Sequence, residues 1–264
     1  MEEKIKNSEF NPPIPLPKPR KPLSQAPLFP ARYRCDGEIG KGGIGSVWRV
    51  HDRQMNRSLA AKVLLPNFKN HRAANERLVR EALLAGSIQH PGIPPVYEHG
   101  ALLAGSSFFT MKLVEGKTLD ELLAERTDPS QNRQHFLNVF RQIAEAVGFA
   151  HSKQVLHRDL KPQNIMVGEF GEVQIMDWGM AKRLGVDTHD LACQAEKATL
   201  VDQAETDTNM QATDSSLDGR SLERNAALTA QGEVFGTPFY MSPEQAAGDL
   251  ANMDQRSDLS LIHI

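Results

Sequence analysis

The run Glu38-Ile39-Gly40-Lys41-Gly42-Gly43-Ile44-Gly45-Ser46-Val47-Trp48-Arg49-Val50 constrains this chain more than any other. It sets Gly40, Gly42 and Gly45 in a G-x-G-x-x-G spacing. In a dinucleotide-binding unit that spacing opens a helix after a strand. Here Val47-Trp48-Arg49-Val50 follows, and branched and aromatic residues at this density favour a strand. The loop is therefore predicted to be the tip of a β-hairpin. Its glycines leave the backbone bare, so a triphosphate can approach closely. Taken alone, such a loop is as readily an ordinary glycine hairpin.

The pattern downstream moves from strands to helices. A β-rich run, Leu59 to Leu65, is followed by a helical stretch over about 72–87 with Leu78, Ala82 and Ala85 on one face. His90-Pro91-Gly92 breaks it, and strands are predicted at about 96–99 and 107–113. Thr118-Leu119-Asp120-Glu121 has the form of a capping box. A longer helix is predicted over about 133–152, with Phe136, Val139, Phe140, Ile143 and Val147 at helical spacing. Strands first and helices after point to two lobes.

Two segments stand apart. Eight of the 16 prolines lie between Pro12 and Pro30, so residues 1–30 are predicted to be extended or disordered. They serve as a linker or, alternatively, as a docking site for a proline-recognising domain. Residues 184–233 carry ten Asp and Glu against three Lys and Arg, with no aromatic residue. Such a stretch buries too little apolar surface to offset its ordering entropy, and a disordered insertion is expected. Two cysteines and scattered histidines give neither a disulfide framework nor a metal site. A net charge of −3 gives no reason to expect nucleic-acid binding. No long apolar run spans a membrane, no signal peptide is evident, and the cytoplasm is the expected location.

The chemistry gathers on a few side chains. Lys62, on the strand after the glycine loop, can hold phosphate oxygens. Glu81, on the helix that follows, is its expected partner. The string His157-Arg158-Asp159-Leu160-Lys161-Pro162-Gln163-Asn164 is decisive. Asp159 can accept a proton from an attacking hydroxyl. Lys161 can neutralise charge on a transferred phosphoryl group, and Asn164 offers an amide oxygen to Mg²⁺. Asp177-Trp178-Gly179 adds a carboxylate for metal.

Together these residues resemble the eukaryotic-type (Hanks-type) serine/threonine protein kinase family in its bacterial form. The likeness covers the glycine loop, Ala60-Ala61-Lys62, the catalytic string, a D-F-G-like motif, and Gly236 to Glu244, where Ser242-Pro243-Glu244 stands for A-P-E. The resemblance implies an α+β, two-lobed protein-kinase-like fold with a β-rich N-lobe over about 31–114. A partial, helical C-lobe follows over about 115–258. It implies ATP and Mg²⁺ as cofactors, and proteins bearing Ser or Thr as substrates. Ile39, Val47, Ala60 and Met166 would enclose the base. Met111 would stand behind it, and the backbone of Lys112 and Val114 would bond its edge. Lys62 would hold phosphates, with Asn164 and Asp177 on the metal. Arg158 would receive a phosphorylated residue, with Thr229 as first candidate and Thr206 and Thr208 as weaker ones. Thr237 would contact Asp159 and Lys161.

Three features depart from the family pattern. Trp178 replaces phenylalanine and is expected to pack under the Glu81 helix and against His157. The stretch from Asp177 to Pro243 is unusually long. After Arg256-Ser257-Asp258, residues 259–264 do not continue the pattern and resemble read-through from a truncated coding sequence. The expectation is an incomplete C-lobe, no arginine partner for Glu244, and weak or absent activity of the 264-residue form. The alternatives are a pseudokinase-like or truncated, inactive ATP-binding scaffold and a nicotinamide-dependent enzyme. Intact catalytic side chains weigh against the first. The hairpin, and the lack of a Rossmann unit behind it, weigh against the second.

Overall fold

The computed structural model describes residues 26–185, 240–249 and 253–263. Thr206, Thr208, Thr229 and Thr237, most of the acidic stretch, and Pro12 to Pro22 lie outside the described residues.

Five antiparallel strands form the first sheet. They are β1 (Tyr33–Lys41), β2 (Gly45–Asp52), β3 (Arg57–Leu64), β4 (Val96–Ala101) and β5 (Ser107–Lys112), in the order β1-β2-β3-β5-β4. The glycine loop is the β1–β2 turn, as the β-like residues on both sides require. At Gly45 a Cβ would lie 2.8 Å from the Val63 carbonyl oxygen, so β2 approaches β3 too closely there for any side chain. Period-two alternation divides the sheet's faces. Trp48, Val50, Leu59, Ala61 and Val63 enter an outer cluster with Tyr33, Leu102 and Phe108. Helix α1 (Arg72–Gly86) covers the other face through Leu78 and Ala82, packed with Leu64 and Phe109.

Residues 26–30, which sequence reading grouped with the Pro-rich segment, lie against this sheet. Phe29 is buried in the outer cluster, edge-on to Phe108 at 5.3 Å. Leu28 accepts a backbone hydrogen bond from Leu103 at 2.9 Å. Next in the chain, Arg32 pairs with the fully buried Asp52 and with Glu98.

The second lobe begins with β6 (Lys117–Thr118), α2 (Leu119–Ala124) and α3 (Arg133–Ser152). Strands β7 (Val155–Leu156), β8 (Ile165–Val167), β9 (Val173–Ile175) and β10 (Lys182–Arg183) follow, with a short helix α4 (Pro243–Ala246) and a 3₁₀ stretch, Gln255–His263. The strands form two small sheets, β6-β8-β9 and β10-β7. Val139, Ile143, Ala146, Val147 and Ala150 of α3 share a core with β8 and β9. Phe140, expected on the same face, is 48% exposed because it sits at the edge of that stripe. Among the described residues no helix is long and apolar enough to cross a membrane.

Candidate active site

Lys62 and Val47 are register partners on β3 and β2, so both project from the face opposite the outer cluster. Lys62 Nζ lies 2.5 Å from Glu81 Oε1 and 2.9 Å from Asp177 Oδ1. Sequence reading expected the first contact. Burial works against the Lys62 charge, but Glu81 and then Asp177 outweigh it, and the ammonium is held protonated above its ordinary range. Burial pushes the Glu81 carboxyl up, with Lys62 offsetting only part of that rise. For Asp177 the balance tips the other way: burial raises it, but Lys62 brings it below the usual carboxylate range.

Asp177 has a left-handed backbone, φ 56°, which a non-glycine residue adopts at a cost. The turn is fixed from several sides. Trp178 is buried, meets the His157 ring edge-on at 4.7 Å, and donates its indole N–H to Ile175 O at 3.0 Å. It shares the core with Leu84 and Ala85 of α1, so the expected packing under that helix is present. A Cβ on Gly179 would stand 3.1 Å from Glu81 Oε2, which explains glycine there. Arg77 of α1, which sequence reading missed, donates to Gly179 O at 3.3 Å and to Met180 Sδ at 2.8 Å.

The string 157–164 is pinned from the chain's far end. Asp258 is buried and accepts the backbone N–H of His157 at 2.8 Å and of Arg158 at 2.7 Å. Its Oδ2 also lies 2.8 Å from His151 Nε2. Burial raises the Asp258 carboxyl, but the His151 hydrogen bond, the electrostatic effect of the nearby His157 ring and the two backbone donors leave it below the usual range. Gln245 of α4 donates to Arg158 O at 2.7 Å, and Ser257 donates to Glu244. No local pattern announces either contact. Ser257 thus contacts Glu244, the side chain for which the resemblance implied an arginine partner.

With its backbone fixed, the string presents three polar side chains together. Lys161 Nζ is 2.7 Å from Asp159 Oδ2. Asn164 Nδ2 donates to Asp159 O at 2.8 Å and to Asp159 Oδ2 at 3.0 Å, which turns its amide oxygen away from Asp159. Met176 N donates to Asn164 O at 2.7 Å, tying the string to the residue before Asp177. Asn164, just before β8, and Asp177, two residues after β9, thereby offer one amide and one carboxylate oxygen. Two hard oxygen donors suit Mg²⁺, which keeps its remaining positions for phosphate and water. Among the described residues there is no group of three or more His, Cys, Asp or Glu that could hold a metal ion.

The residues predicted to enclose the base are placed by the two lobes' sheets. Ala60 is buried and pairs in register with Met111, and Met166 of β8 pairs with Thr118 at the start of the second lobe. Val47, Met111, Lys112, Val114 and Met166 are half-buried, while Ile39 at the loop's base is exposed.

The protein kinase domain model matches residues 33–202. The serine/threonine-protein kinase PknD of Protochlamydia amoebophila is 33% identical over 231 residues, covering 84% of this chain and 21% of that protein. PknD of Chlamydia muridarum is 34% identical over 238 residues, covering 86% and 23%. PknD of Chlamydia trachomatis serovar D is 35% identical over 235 residues, covering 82% and 22%. The chain thus spans little more than a fifth of the length of these relatives. From the motif order, the site geometry and the family match, the chain belongs to the protein kinase domain family.

Proposed function

We propose that this chain is a serine/threonine protein kinase that transfers the γ-phosphoryl group of ATP to hydroxyl groups of protein substrates. One observation carries the reading. Lys62, Glu81 and Asp177 form one contacting group, Asp159, Lys161 and Asn164 form a second, and the bond from Met176 N to Asn164 O ties the second to the residue before Asp177. The glycine loop supports it. A Cβ at Gly40 or Gly42 would meet only ordinary contacts and one at Gly43 nothing within 4 Å, so packing does not demand glycine there. A bare backbone is what a polyphosphate beneath the loop would need.

In this mechanism Lys62, held by Glu81, grips the α- and β-phosphates. Asp177 and Asn164 would hold Mg²⁺, which supplies charge neutralisation across the phosphate oxygens when bound. Asp159 orients the substrate hydroxyl in line with the γ-phosphorus and takes its proton. Lys161 offsets negative charge on the transferred group. The transition state is loose, so positioning and charge stabilisation matter more than proton removal. The names of the PknD relatives support Ser and Thr as acceptors.

Arg158 supports control by phosphorylation. Its Nε is buried with no hydrogen-bond partner among the described residues, and burial, with Arg77 nearby, holds the guanidinium below its ordinary range. A phosphate on Thr229, or on Thr206 or Thr208, would supply the missing acceptors. The Pro-rich segment is proposed as a tether or a site for a proline-recognising partner, and the cytoplasm as the place of action.

The test is transfer from γ-labelled ATP to a generic protein substrate, with the labelled positions mapped by mass spectrometry. Wild type should transfer at a low but measurable rate, and Asp159→Asn should lose roughly 10²-fold or more. Equal rates for the two proteins would overturn the assignment. Nothing in the geometry favours the non-catalytic scaffold.

A further inference from the structure

Alternation along β2 sends Ser46, Trp48 and Val50 to the buried, outer side of the sheet. Val47 and Arg49 therefore project from the cleft side, where Val47 sits opposite Lys62 and Arg49 opposite Ala60. Ala60 pairs in turn with Met111, next to the residues proposed to bond the adenine edge. Arg49 thus stands at the adenine end of the cleft, as Lys62 stands at its phosphate end. Its guanidinium does not lie along the sheet. Arg49 Nη2 donates to Glu115 Oε1 at 2.8 Å, a residue 66 positions away in the chain. Glu115 follows Val114 in the link between β5 and β6, where the first lobe passes into the second. The ion pair ties β2 to this link.

We propose that Arg49 and Glu115 form a latch across the mouth of the adenine site that slows release of bound nucleotide, ADP above all. The proposal rests on the ATP reading above. In the proposed latch, release of a nucleotide parts the sheet from the link, and parting them breaks the pair. The two side chains are 36% and 70% exposed, so the pair meets solvent and is screened by salt. Exposed pairs contribute modestly, which sets the expected effect at roughly two- to fivefold in release rate. A latch of that strength retains nucleotide without trapping it. Arg49 and Glu115 are positioning residues that hold β2 to the link and do not touch the reacting atoms.

The experiment is stopped-flow release of N-methylanthraniloyl-ADP from the full chain in the presence of Mg²⁺. Arg49→Ala and Glu115→Ala should each speed release by roughly two- to fivefold. The charge-reversed pair Arg49→Glu with Glu115→Arg should restore slow release. Wild-type release should quicken as NaCl rises, while release from each single variant should respond less. A general loss of packing would reproduce neither the rescue nor the difference in salt dependence. Equal rates for wild type and both single variants, or a charge-reversed protein as fast as the single variants, would overturn the latch. Failure of wild type to bind the analogue at all would overturn the nucleotide reading and the latch with it.

Discussion

Removing the carboxylate of Asp258 leaves the backbone N–H groups of His157 and Arg158 buried with a poorer acceptor. An asparagine side chain at this position would turn its N–H₂ against one of those donors. Asp258→Asn should therefore destabilise the fold by about 3 kcal/mol, measured as a lower urea midpoint. Transfer activity should fall with it, because the backbone of Asp159 follows directly on these bonds. The pH dependence has a definite sign. The folded carboxyl ionises below its ordinary range, so its contribution is complete above the unfolded value of about 4 and is lost as pH falls below that value. Wild type should lose stability through that interval, and the variant should show a flatter curve there. The chemistry of this residue was legible in sequence only through resemblance. Nothing within a few positions of Asp258 indicates which backbone, a hundred residues earlier, it will meet.

Elements were more legible than contacts, because the forces that define them are local. The 3.6-residue period of apolar side chains predicts α3 over 133–152, the bounds observed. Thr118 and Glu121 form both halves of the predicted capping box, at 3.2 Å and 2.7 Å. Thr118→Ala should cost about 1 kcal/mol and lower the melting midpoint by about 2–4 °C. Glu121→Ala should do likewise through the reciprocal bond. Less legible was the start of α1, where the ring of His71, not among the preferred capping residues, accepts from Ala74 N at 3.3 Å. Position along a helix also outran the pattern, since Phe140 satisfies the apolar period and still faces out. Periodicity identifies a stripe, but the neighbouring elements decide how wide the buried part is.

At the scale of the molecule, the two lobes differ in what composes their cores. The first includes residues ahead of the matched family domain, since Phe29 and Ala26 pack with the outer cluster. Phe29→Ala should lower the unfolding free energy by about 3 kcal/mol in thermal or urea melts, with the cleft geometry retained. Proline content hid this, because a proline-rich run reads as extended whether or not one aromatic within it finds a core. The second lobe depends on separation of another kind. A chain emerging from the ribosome makes the catalytic string long before Asp258 exists. Until that carboxylate arrives, the donors of His157 and Arg158 have only water or transient partners, and the string has no fixed shape. Contacts of such long sequence separation form late. Nascent protein would therefore hold the parts for phosphoryl transfer without being able to align them, and activity would begin only after Asp258 has been made.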